Sequence, residues 1–286
     1  EAIALYLKEA VIPEMTQLLE KIPSSEDIIH FFREKTVCKE LETVSIIQNT
    51  WDILTYQTRG IRTDFRLLNQ SGIIKGDLSP NTVIYNEDQV FIDQKAKVDD
   101  FVVIDARKGP VIIEKEAEIK SFSYLEGPLY IGKKAVILGA RIKNSSIGPY
   151  CKIGGEVNHS QFYAYSNKAH EGYIGHSIIG EWVNLGAGTT TSNLNLNYSS
   201  IRVEENGNTI DSKEQFLGSI IGDHVKTGIG SLLNTGTHIG FGTAIYGGGM
   251  PQSKNIPALC WGKPNDYKVH DLDRFMATLR TVMKRR

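Results

Sequence analysis

The sequence has little of several features on which structural assignments often depend. Its 286 residues include only three cysteines, Cys38, Cys151 and Cys260, which lie far apart. An odd number at such spacings gives neither a disulfide framework nor a CxxC metal site, so we expect a reducing cytoplasm. No apolar run approaches the roughly eighteen residues of a membrane span, and the sequence therefore predicts no transmembrane helix.

An excess of charge of either sign is also lacking. The chain has 32 basic and 33 acidic residues, and its formal net charge is −1. This balance gives no electrostatic case for DNA, RNA or an anionic membrane surface as the main partner. The chain also opens without a methionine or a signal peptide, inside an apparent amphipathic helix. We therefore expect a fragment, a processed chain or residues missing upstream.

What the sequence does contain is a six-residue repeat. From residue 221 onward, anchor residues recur at spacing six: Ile221, Thr227, Leu233, Ile239 and Ile245. A small residue follows each anchor four places later: Val225, Ser231, Thr237, Thr243 and Gly249. Period six fits neither the spacing of an α-helix nor the alternation of a half-buried strand. It is typical of a left-handed parallel β-helix, an all-β solenoid in which three six-residue flats make one triangular coil.

The repeat extends upstream through three further pairs at spacing six. They are Ile131 and Ile137, Ile147 and Ile153, and Ile179 and Leu185, with Ala135, Cys151 and Val183 as corner residues. We predict coils from near Thr82 to near Met250, although the looser pattern before Ile112 would also suit ordinary strands. The phase slips predict interruptions around 158–172 and 193–216. Such loops gather on one face of a solenoid and often carry the binding site.

The two ends of the chain predict helices. Apolar residues recur at helical spacing in 1–21, and Ser24 with Asp27 three places later marks the start of a second helix. A third helical stretch runs from Trp51 to Leu68, with Trp51, Leu54, Ile61 and Phe65 on its apolar side. After a loop at 261–267, residues 272–283 predict a C-terminal α-helix. It ends in the basic tail Lys284-Arg285-Arg286, which suits a helix C-terminus.

Polar residues are densest between 158 and 198. Three of the seven histidines, His159, His170 and His176, fall within this stretch. Histidine is suited to general-base chemistry because its pKa lies close to working pH. The alternative is a structural role, in which His170 caps a loop and His159 and His176 cap turns or line the pocket.

The same stretch resembles a known family. The string SNKAHEGYIGHSIIGEWVNLGAGTTTSNLNLNY at 166–198 is similar to the acetyltransferase half of GlmU-like proteins, the bifunctional glucosamine-1-phosphate acetyltransferase / N-acetylglucosamine-1-phosphate uridylyltransferases. KIGGEV at 152–157, QFLGSIIGDHVKTGIG at 215–230, LLNTGTHIG at 232–240 and WDILTYQTRGIRTDF at 51–65 belong to the same resemblance. It covers roughly 45–286, favours a divergent bacterial branch, and includes irregular loops as well as hexads.

The resemblance implies an activity and its site residues. It implies N-acetyl transfer from acetyl-CoA to an amino-sugar phosphate, in the synthesis of a nucleotide sugar of the UDP-N-acetylglucosamine type. His170 would be the general base. The substrate would be bound, or the histidine oriented, by Lys168, Tyr173, Asn184 and Asn193. The acetyl-CoA groove would be lined by Ala187, Ile229 and Gly247, with Lys226 at a CoA phosphate.

Three positions depart from the pattern of the family. Leu194 stands where a tyrosine is expected, Phe216 where a substrate-contacting lysine is expected, and Asn195 where the divergent branch would have a lysine. We expect these departures to bear on the acceptor. The resemblance also implies a homotrimer, with the site between adjacent prisms, and no metal in this part of the protein.

The resemblance also sets the expected domain boundaries. Residues 1–70 would be the helical tail of an upstream nucleotidyltransferase domain, 71–260 the β-helix, and 261–286 a C-terminal loop and helix. Nothing like the phosphate loop Gly-x-Gly-Thr-Arg occurs in 1–68, so we expect no nucleotide transfer by this chain. Magnesium would belong to the upstream domain.

Other functions stay open at this point. The chain could be a sugar-nucleotide-binding or oligomerising module without acetylation. The asparagines at 193, 195 and 197 could simply support a tight loop, because asparagine tolerates left-handed backbone. Zinc-dependent hydration, known from β-helix carbonic anhydrases, would need three histidine ligands at spacings that His159, His170 and His176 do not match.

Overall fold

The structure, a computed structural model, describes residues 12–21, 24–35, 46–205 and 207–284. The chain divides into two compact units, Glu1–Gln48 and Asn49–Arg286. No helix among the described residues is both long and apolar enough to cross a membrane. Part of the predicted first helix, Cys38, and Arg285 and Arg286 of the predicted basic tail lie outside the described residues.

The first unit contains two short helices, α1 (Ile12–Leu19) and α2 (Ser25–Lys35). The predicted start of α2 is confirmed as a reciprocal cap. The Ser24 hydroxyl accepts from the Asp27 N–H at 3.2 Å, and an Asp27 carboxylate oxygen accepts from the Ser24 N–H at 2.9 Å. These two bonds satisfy N–H groups that the first turn of a helix leaves unpaired.

The second unit begins with α3 (Asp52–Leu68) and ends with α4 (Leu272–Met283). The predicted apolar side of α3 is confirmed, because Trp51, Leu54, Ile61 and Phe65 are all buried. Asn69, in the left-handed conformation at φ 49°, ends α3. At the other end of the unit, the Asp271 carboxylate caps α4 by accepting from the Arg274 N–H at 2.9 Å.

Between these helices lie short strands and one 3₁₀ turn (Glu87–Gln89). In chain order the strands are β1 (Asp77–Leu78), β2 (Val83–Tyr85), β3 (Val90–Ile92), β4 (Lys97–Val98), β5 (Val103–Asp105), β6 (Val111–Ile113), β7 (Glu118–Ile119), β8 (Tyr124–Glu126), β9 (Leu129–Ile131), β10 (Val136–Ile137), β11 (Arg141–Lys143), β12 (Ser146–Ile147), β13 (Lys152–Ile153), β14 (Glu156–Asn158), β15 (Gln161–Phe162), β16 (Asn167–Lys168), β17 (Tyr173–Gly175), β18 (Ile178–Ile179), β19 (Asn184–Leu185), β20 (Thr190–Thr191), β21 (Arg202–Glu205), β22 (Asn208–Asp211), β23 (Ile220–Ile221), β24 (Lys226–Thr227), β25 (Leu232–Leu233), β26 (His238–Ile239), β27 (Ala244–Ile245), β28 (Asn255–Ile256), β29 (Cys260–Lys263) and β30 (Asp266–Val269).

Most of these strands form three long sheets. Sheet 1 contains β1, β4, β7, β10, β13, β16, β19, β24, β27, β29 and β30. Sheet 2 contains β3, β6, β9, β12, β15, β18, β23, β26 and β28, and sheet 3 contains β2, β5, β8, β11, β14 and β17. From β1 to β15, each strand pairs in parallel with the strand three places later. The structure therefore confirms the fold class predicted from the repeat, a parallel β-helix of hexapeptide coils with helices before and after it.

The inward residues of the coils form one continuous apolar core. The five anchors from Ile221 to Ile245 are at most 6% exposed, as are the corner residues Ala135, Cys151 and Val183. The looser pattern before Ile112 also belongs to the solenoid, because β2, β5 and β8 stack in sheet 3. Each of the three sides of a coil contributes one inward anchor, which explains the spacing of six, and each anchor packs on its equivalent in the next coil.

One of the two predicted interruptions is absent. Residues 158–172 stay within the prism, where β15 pairs with β12 and β18, and β16 pairs with β13 and β19. The coil from Lys152 to Asn167 is simply shorter, at 15 residues against 21 from Lys97 to Glu118. A shortened corner shifts the phase of the repeat as an insertion does, and the prediction of a loop here was wrong.

The second predicted interruption is confirmed. Between β20 and β23 the chain leaves the prism and forms the antiparallel hairpin of β21 and β22. Sheet 1 continues without a break past this hairpin, because β19 pairs directly with β24. Residues 261–267, predicted to be a loop, instead form parts of β29 and β30, an antiparallel pair at the end of sheet 1.

Candidate active site

His170 lies at an exposed corner of the prism, between β16 of sheet 1 and β17 of sheet 3. It does not lie in an excursion from the coils, because 158–172 has none. Its ring forms no hydrogen bond with the described residues, and its backbone carbonyl accepts from the Lys168 ammonium. The imidazole is therefore free to meet a ligand outside the prism.

The corner of His170 belongs to a column of four, at 169–172, 186–189, 228–231 and 246–249, which we call the histidine edge. Backbone N–H···O bonds of 2.8, 2.8 and 3.0 Å join each corner to the next. Glycines permit this close stacking. A Cβ on Gly186 would lie 2.6 Å from the carbonyl carbon of Gly228, and a Cβ on Gly172 would lie 2.2 Å from the Thr189 oxygen. The edge is consequently narrow and lined by backbone.

Three of the predicted cofactor residues lie on this edge. Ala187, Ile229 and Gly247 occupy the three corners that follow the corner of His170. Within the described part of the chain, the N–H groups of these three residues donate no hydrogen bond. At about 4.8 Å per coil, Gly247 lies about 14 Å along the edge from the His170 corner. The edge thus offers a row of backbone donors leading away from an imidazole, which suits an extended ligand.

Lys168 is placed inside the prism and not on a ligand-facing surface. Its side chain is 2% exposed, and its ammonium donates to the carbonyls of Gly154 at 2.8 Å and His170 at 2.7 Å. Burial lowers the pKa of Lys168 to about 8, and Glu171 opposes this shift. In this arrangement the ammonium fastens the corner of His170 to the coil below it.

Tyr173 and Asn193 are brought together on the far side of this corner. The Asn193 amide nitrogen donates to the Tyr173 hydroxyl at 3.0 Å and to Nδ1 of His176 at 2.8 Å. Because its Nδ1 accepts this hydrogen bond, neutral His176 is the tautomer with its proton on Nε2. Burial raises the pKa of the Tyr173 phenol.

Two of the departures from the family pattern are neighbours of this pair. Leu194 and Phe216 form an antiparallel bridge with each other at the base of the hairpin. The Phe216 ring stacks on His176 at 5.2 Å, and His176 stacks on His159 at 4.7 Å. A small cavity of about 300 Å³ lies beside this three-ring stack, against α3. A phenyl ring thus occupies the place where a lysine was expected.

The remaining two predicted residues lie beside the histidine edge, on the outer surface of sheet 1. Asn184 pairs in register with Lys226, and both line a cavity of about 640 Å³ with Lys152 and Trp182. Burial lowers the pKa of Lys226. The predicted site therefore divides among the edge itself, the Tyr173 side and the sheet 1 surface.

His159 has a structural role, as the turn-capping interpretation of the sequence allows. Its Nε2 donates to the Leu54 carbonyl at 3.1 Å, and its Nδ1 accepts from the Asn144 amide at 2.5 Å, so it joins α3 to the prism. His159 and His176 lie at the same corner of successive coils, and both have positive φ. Among the described residues, no group of three His, Cys, Asp or Glu side chains could hold a metal ion.

The two stacked histidines predict a loss of stability in acid. Burial lowers the pKa of His176 to about 4, with His159 adding to this shift, and burial also lowers the pKa of His159. An unfolded histidine takes up its proton near pH 6.5, so between these values the unfolded state binds more protons. We expect the free energy of unfolding to fall by on the order of 2 kcal/mol from pH 6.5 to pH 4. Urea denaturation across this range measures the slope.

The variant His176→Gln should flatten that slope, since glutamine does not titrate. His30→Gln is the matched control, because His30 lies on α2 with 74% of its side chain exposed. Equal slopes for the wild type and His176→Gln would contradict the assignment to the stacked pair.

No family model matches the chain. It is 41% identical over 169 residues to a bifunctional sugar-1-phosphate nucleotidylyltransferase/acetyltransferase of Sulfurisphaera tokodaii, covering 56% of this chain and 40% of that protein. It is 35% identical over 168 residues to the bifunctional protein GlmU of Methanocaldococcus jannaschii, covering 54% of this chain and 38% of that protein. The chain thus spans about two fifths of the length of the curated relatives it matches.

Among solved structures, an Arabidopsis UDP-N-acetylglucosamine acyltransferase aligns with a TM-score of 0.34 at 14% identity, over 72% of this chain and 77% of that one.

Proposed function

Since these curated relatives confirm the GlmU-like resemblance, we propose that the chain is an acyltransferase of sugar-nucleotide synthesis. In this proposal it transfers the acetyl group of acetyl-CoA to the amine of an amino-sugar phosphate, glucosamine-1-phosphate. One observation carries it: an exposed histidine shares a prism edge with three backbone N–H groups that have no partner within the described chain. Membership of a bacterial branch stays a prediction.

The proposed reaction needs a base beside the acceptor amine. The His170 imidazole takes a proton from the amine as its nitrogen attacks the thioester carbonyl. A carbon–nitrogen bond forms, the carbon–sulfur bond breaks, and the proton returns to the departing CoA sulfur. His170 can do this because its ring is exposed and is not engaged by the described residues.

The donor would lie along the histidine edge. The N–H groups of Ala187, Ile229 and Gly247 would donate to the amide oxygens of the pantetheine arm, which has the extended shape that a row of donors requires. Lys226 would meet a CoA phosphate from the surface of sheet 1. Such backbone donors are fixed by the coils, so binding costs little ordering of the protein.

The acceptor would lie on the side of Tyr173 and Asn193, whose mutual hydrogen bond fixes both polar groups. Lys168 acts in this proposal through His170, because its ammonium holds the carbonyl of that residue and not the substrate. On this side, the Phe216 ring takes the place of the expected lysine, so a positive charge is lacking at that position. The acceptor phosphate must therefore be held elsewhere, and the proposed source is a neighbouring copy in a homotrimer.

An added negative charge on the donor side tests the location of acetyl-CoA. Ile229 is 78% exposed on the histidine edge, so Ile229→Glu should fold normally. Its carboxylate would lie beside an anionic ligand, and we expect the Kd for acetyl-CoA to rise about tenfold. Calorimetric titration measures the change. Ile229→Gln is the matched control, because it has the same shape without the charge and should bind nearly as the wild type does.

The same titration separates the proposal from its main alternative. A sugar-nucleotide-binding or oligomerising module would show no saturable affinity for acetyl-CoA in the wild type. Equal weakening by Ile229→Glu and Ile229→Gln would also count against the edge, since the effect would then not depend on charge.

A further inference from the structure

After its first turn, α3 carries its charged residues on two separate flanks. Arg59, Arg62 and Arg66 lie on one flank, at helical spacings of three and four. Asp64 lies on the other flank with Glu114 of the prism. An ordinary solvated helix surface mixes the two signs, because acid–base pairs three or four residues apart stabilise a helix. The separation indicates that the basic flank has another use.

The basic flank faces a groove of about 840 Å³ between α3 and the prism. We call it the arginine groove, and its principal residues are Arg59, Arg62, Arg66, Phe65, Gln89 and Pro110. Phe65 is 5% exposed and forms an apolar part of the wall. None of these residues lies on the histidine edge or lines the sheet 1 cavity.

The three guanidinium groups are not neutralised within the described chain. Arg62 donates to the Lys108 carbonyl, and Arg66 donates to the Thr63 hydroxyl at 3.1 Å, so both partners are uncharged. No hydrogen bond or ion pair engages Arg59 among the described residues. Within the part of the chain that the structure describes, one carboxylate is bonded to the groove lining: that of Glu214, which accepts from the lining residue Thr55 at 3.3 Å.

This arrangement costs stability without a ligand. Arg62 and Arg66 are four residues apart, and like charges at that spacing destabilise a helix. An anion in the groove would offset that repulsion. Guanidinium groups bind phosphate oxygens in bidentate pairs, which are among the strongest hydrogen bonds in proteins.

We propose that the arginine groove binds a small molecule that carries a diphosphate. Arg59 and Arg66 lie about 10 Å apart along α3 at 1.5 Å per residue, so three guanidinium groups can share two adjacent phosphates. Phe65 and Pro110 accept the organic part of such a ligand, and Gln89 supplies a polar contact. The site is separate from the proposed acetyl transfer and does not depend on it.

The test uses inorganic pyrophosphate and UDP as probes, by calorimetric titration of the full chain. We expect both to bind, pyrophosphate more tightly than orthophosphate, and binding to weaken with added salt. Arg59→Gln should weaken pyrophosphate binding at least tenfold, and Arg59→Gln/Arg62→Gln should abolish it. If the double variant loses stability, the single variant Arg59→Gln still decides the test, because Arg59 forms no hydrogen bond or ion pair with the described residues.

Lys226→Gln is the control for the other anion site. If pyrophosphate were held at the proposed CoA groove, Lys226→Gln would lose it and the arginine variants would keep it, which would overturn the proposal. Absence of binding to the wild type would overturn it as well. So would equal binding of a hexaglutamate peptide, since the groove would then select acidic chains and not phosphate. Acetyl transfer should be normal in Arg59→Gln, so failure of either proposal leaves the other intact.

Discussion

His170→Ala is expected to lower the turnover of acetyl transfer by about 10²–10⁴-fold, the usual contribution of a general base. The affinity for acetyl-CoA should be retained, because the N–H groups of Ala187, Ile229 and Gly247 belong to other coils. Thiol release with several amino-sugar phosphates as acceptors measures the loss and also identifies the preferred acceptor.

Two further variants make this test specific. His170→Asn can still form hydrogen bonds at the corner but cannot act as a base, so a corner-capping role predicts normal turnover and the proposed role predicts the same loss. His238→Ala, on β26 of sheet 2, should leave turnover unchanged. Unchanged turnover in His170→Ala would refute the assignment of the base.

Lys168→Met should affect both stability and catalysis. Methionine retains the length of the side chain but leaves the carbonyls of Gly154 and His170 without their donor. An unpaired buried carbonyl costs about 1–3 kcal/mol, partly offset here by removal of a buried charge, so we expect a net loss of about 2 kcal/mol. Turnover should fall at least tenfold because the His170 corner is no longer held, as estimated for a misplaced catalytic group.

A positioning role is distinguished from a general loss of structure by the affinity for acetyl-CoA. Turnover should fall in Lys168→Met while that affinity is unchanged, under conditions in which circular dichroism shows the variant to be folded. Lys133→Met, an exposed lysine at another corner, is the control and should change neither quantity. If Lys168→Met reduced affinity and turnover equally, Lys168 would support the whole edge and not His170 in particular.

The sequence was sufficient for the parts of the fold that repeat. A spacing of six residues identifies the inward-facing side chains directly. The anchors and the corner residues Ala135, Cys151 and Val183 could therefore be predicted from the sequence. It could not distinguish a shortened corner from an insertion at 158–172, since either one breaks the phase of the repeat. Nor could it show that the strand of Lys168 directs this lysine inward, because a charged residue at a core position runs against the expected pattern.

The candidate site was predicted as a single set of residues, whereas the structure places its members on different surfaces. One edge contains His170, Ala187, Ile229 and Gly247, because each is the second residue of the same corner in successive coils. Asn184 and Lys226 lie around that corner on sheet 1. The spacing of residues along the chain identifies equivalent corners. It does not show on which surface of the prism a side chain next to a corner lies.

The hairpin of β21 and β22 leaves the prism without interrupting it, because β19 pairs directly with β24 on either side. Phe216, at the base of this hairpin, borders the side proposed for the amine, whereas the thioester would rest on coils that the hairpin does not build. In the proposed enzyme, exchange of this one appended loop would therefore change which sugar is accepted and would leave the acetyl-CoA site as it is. Leu194 and Phe216, facing each other where other residues were expected, are what one such exchange would leave behind.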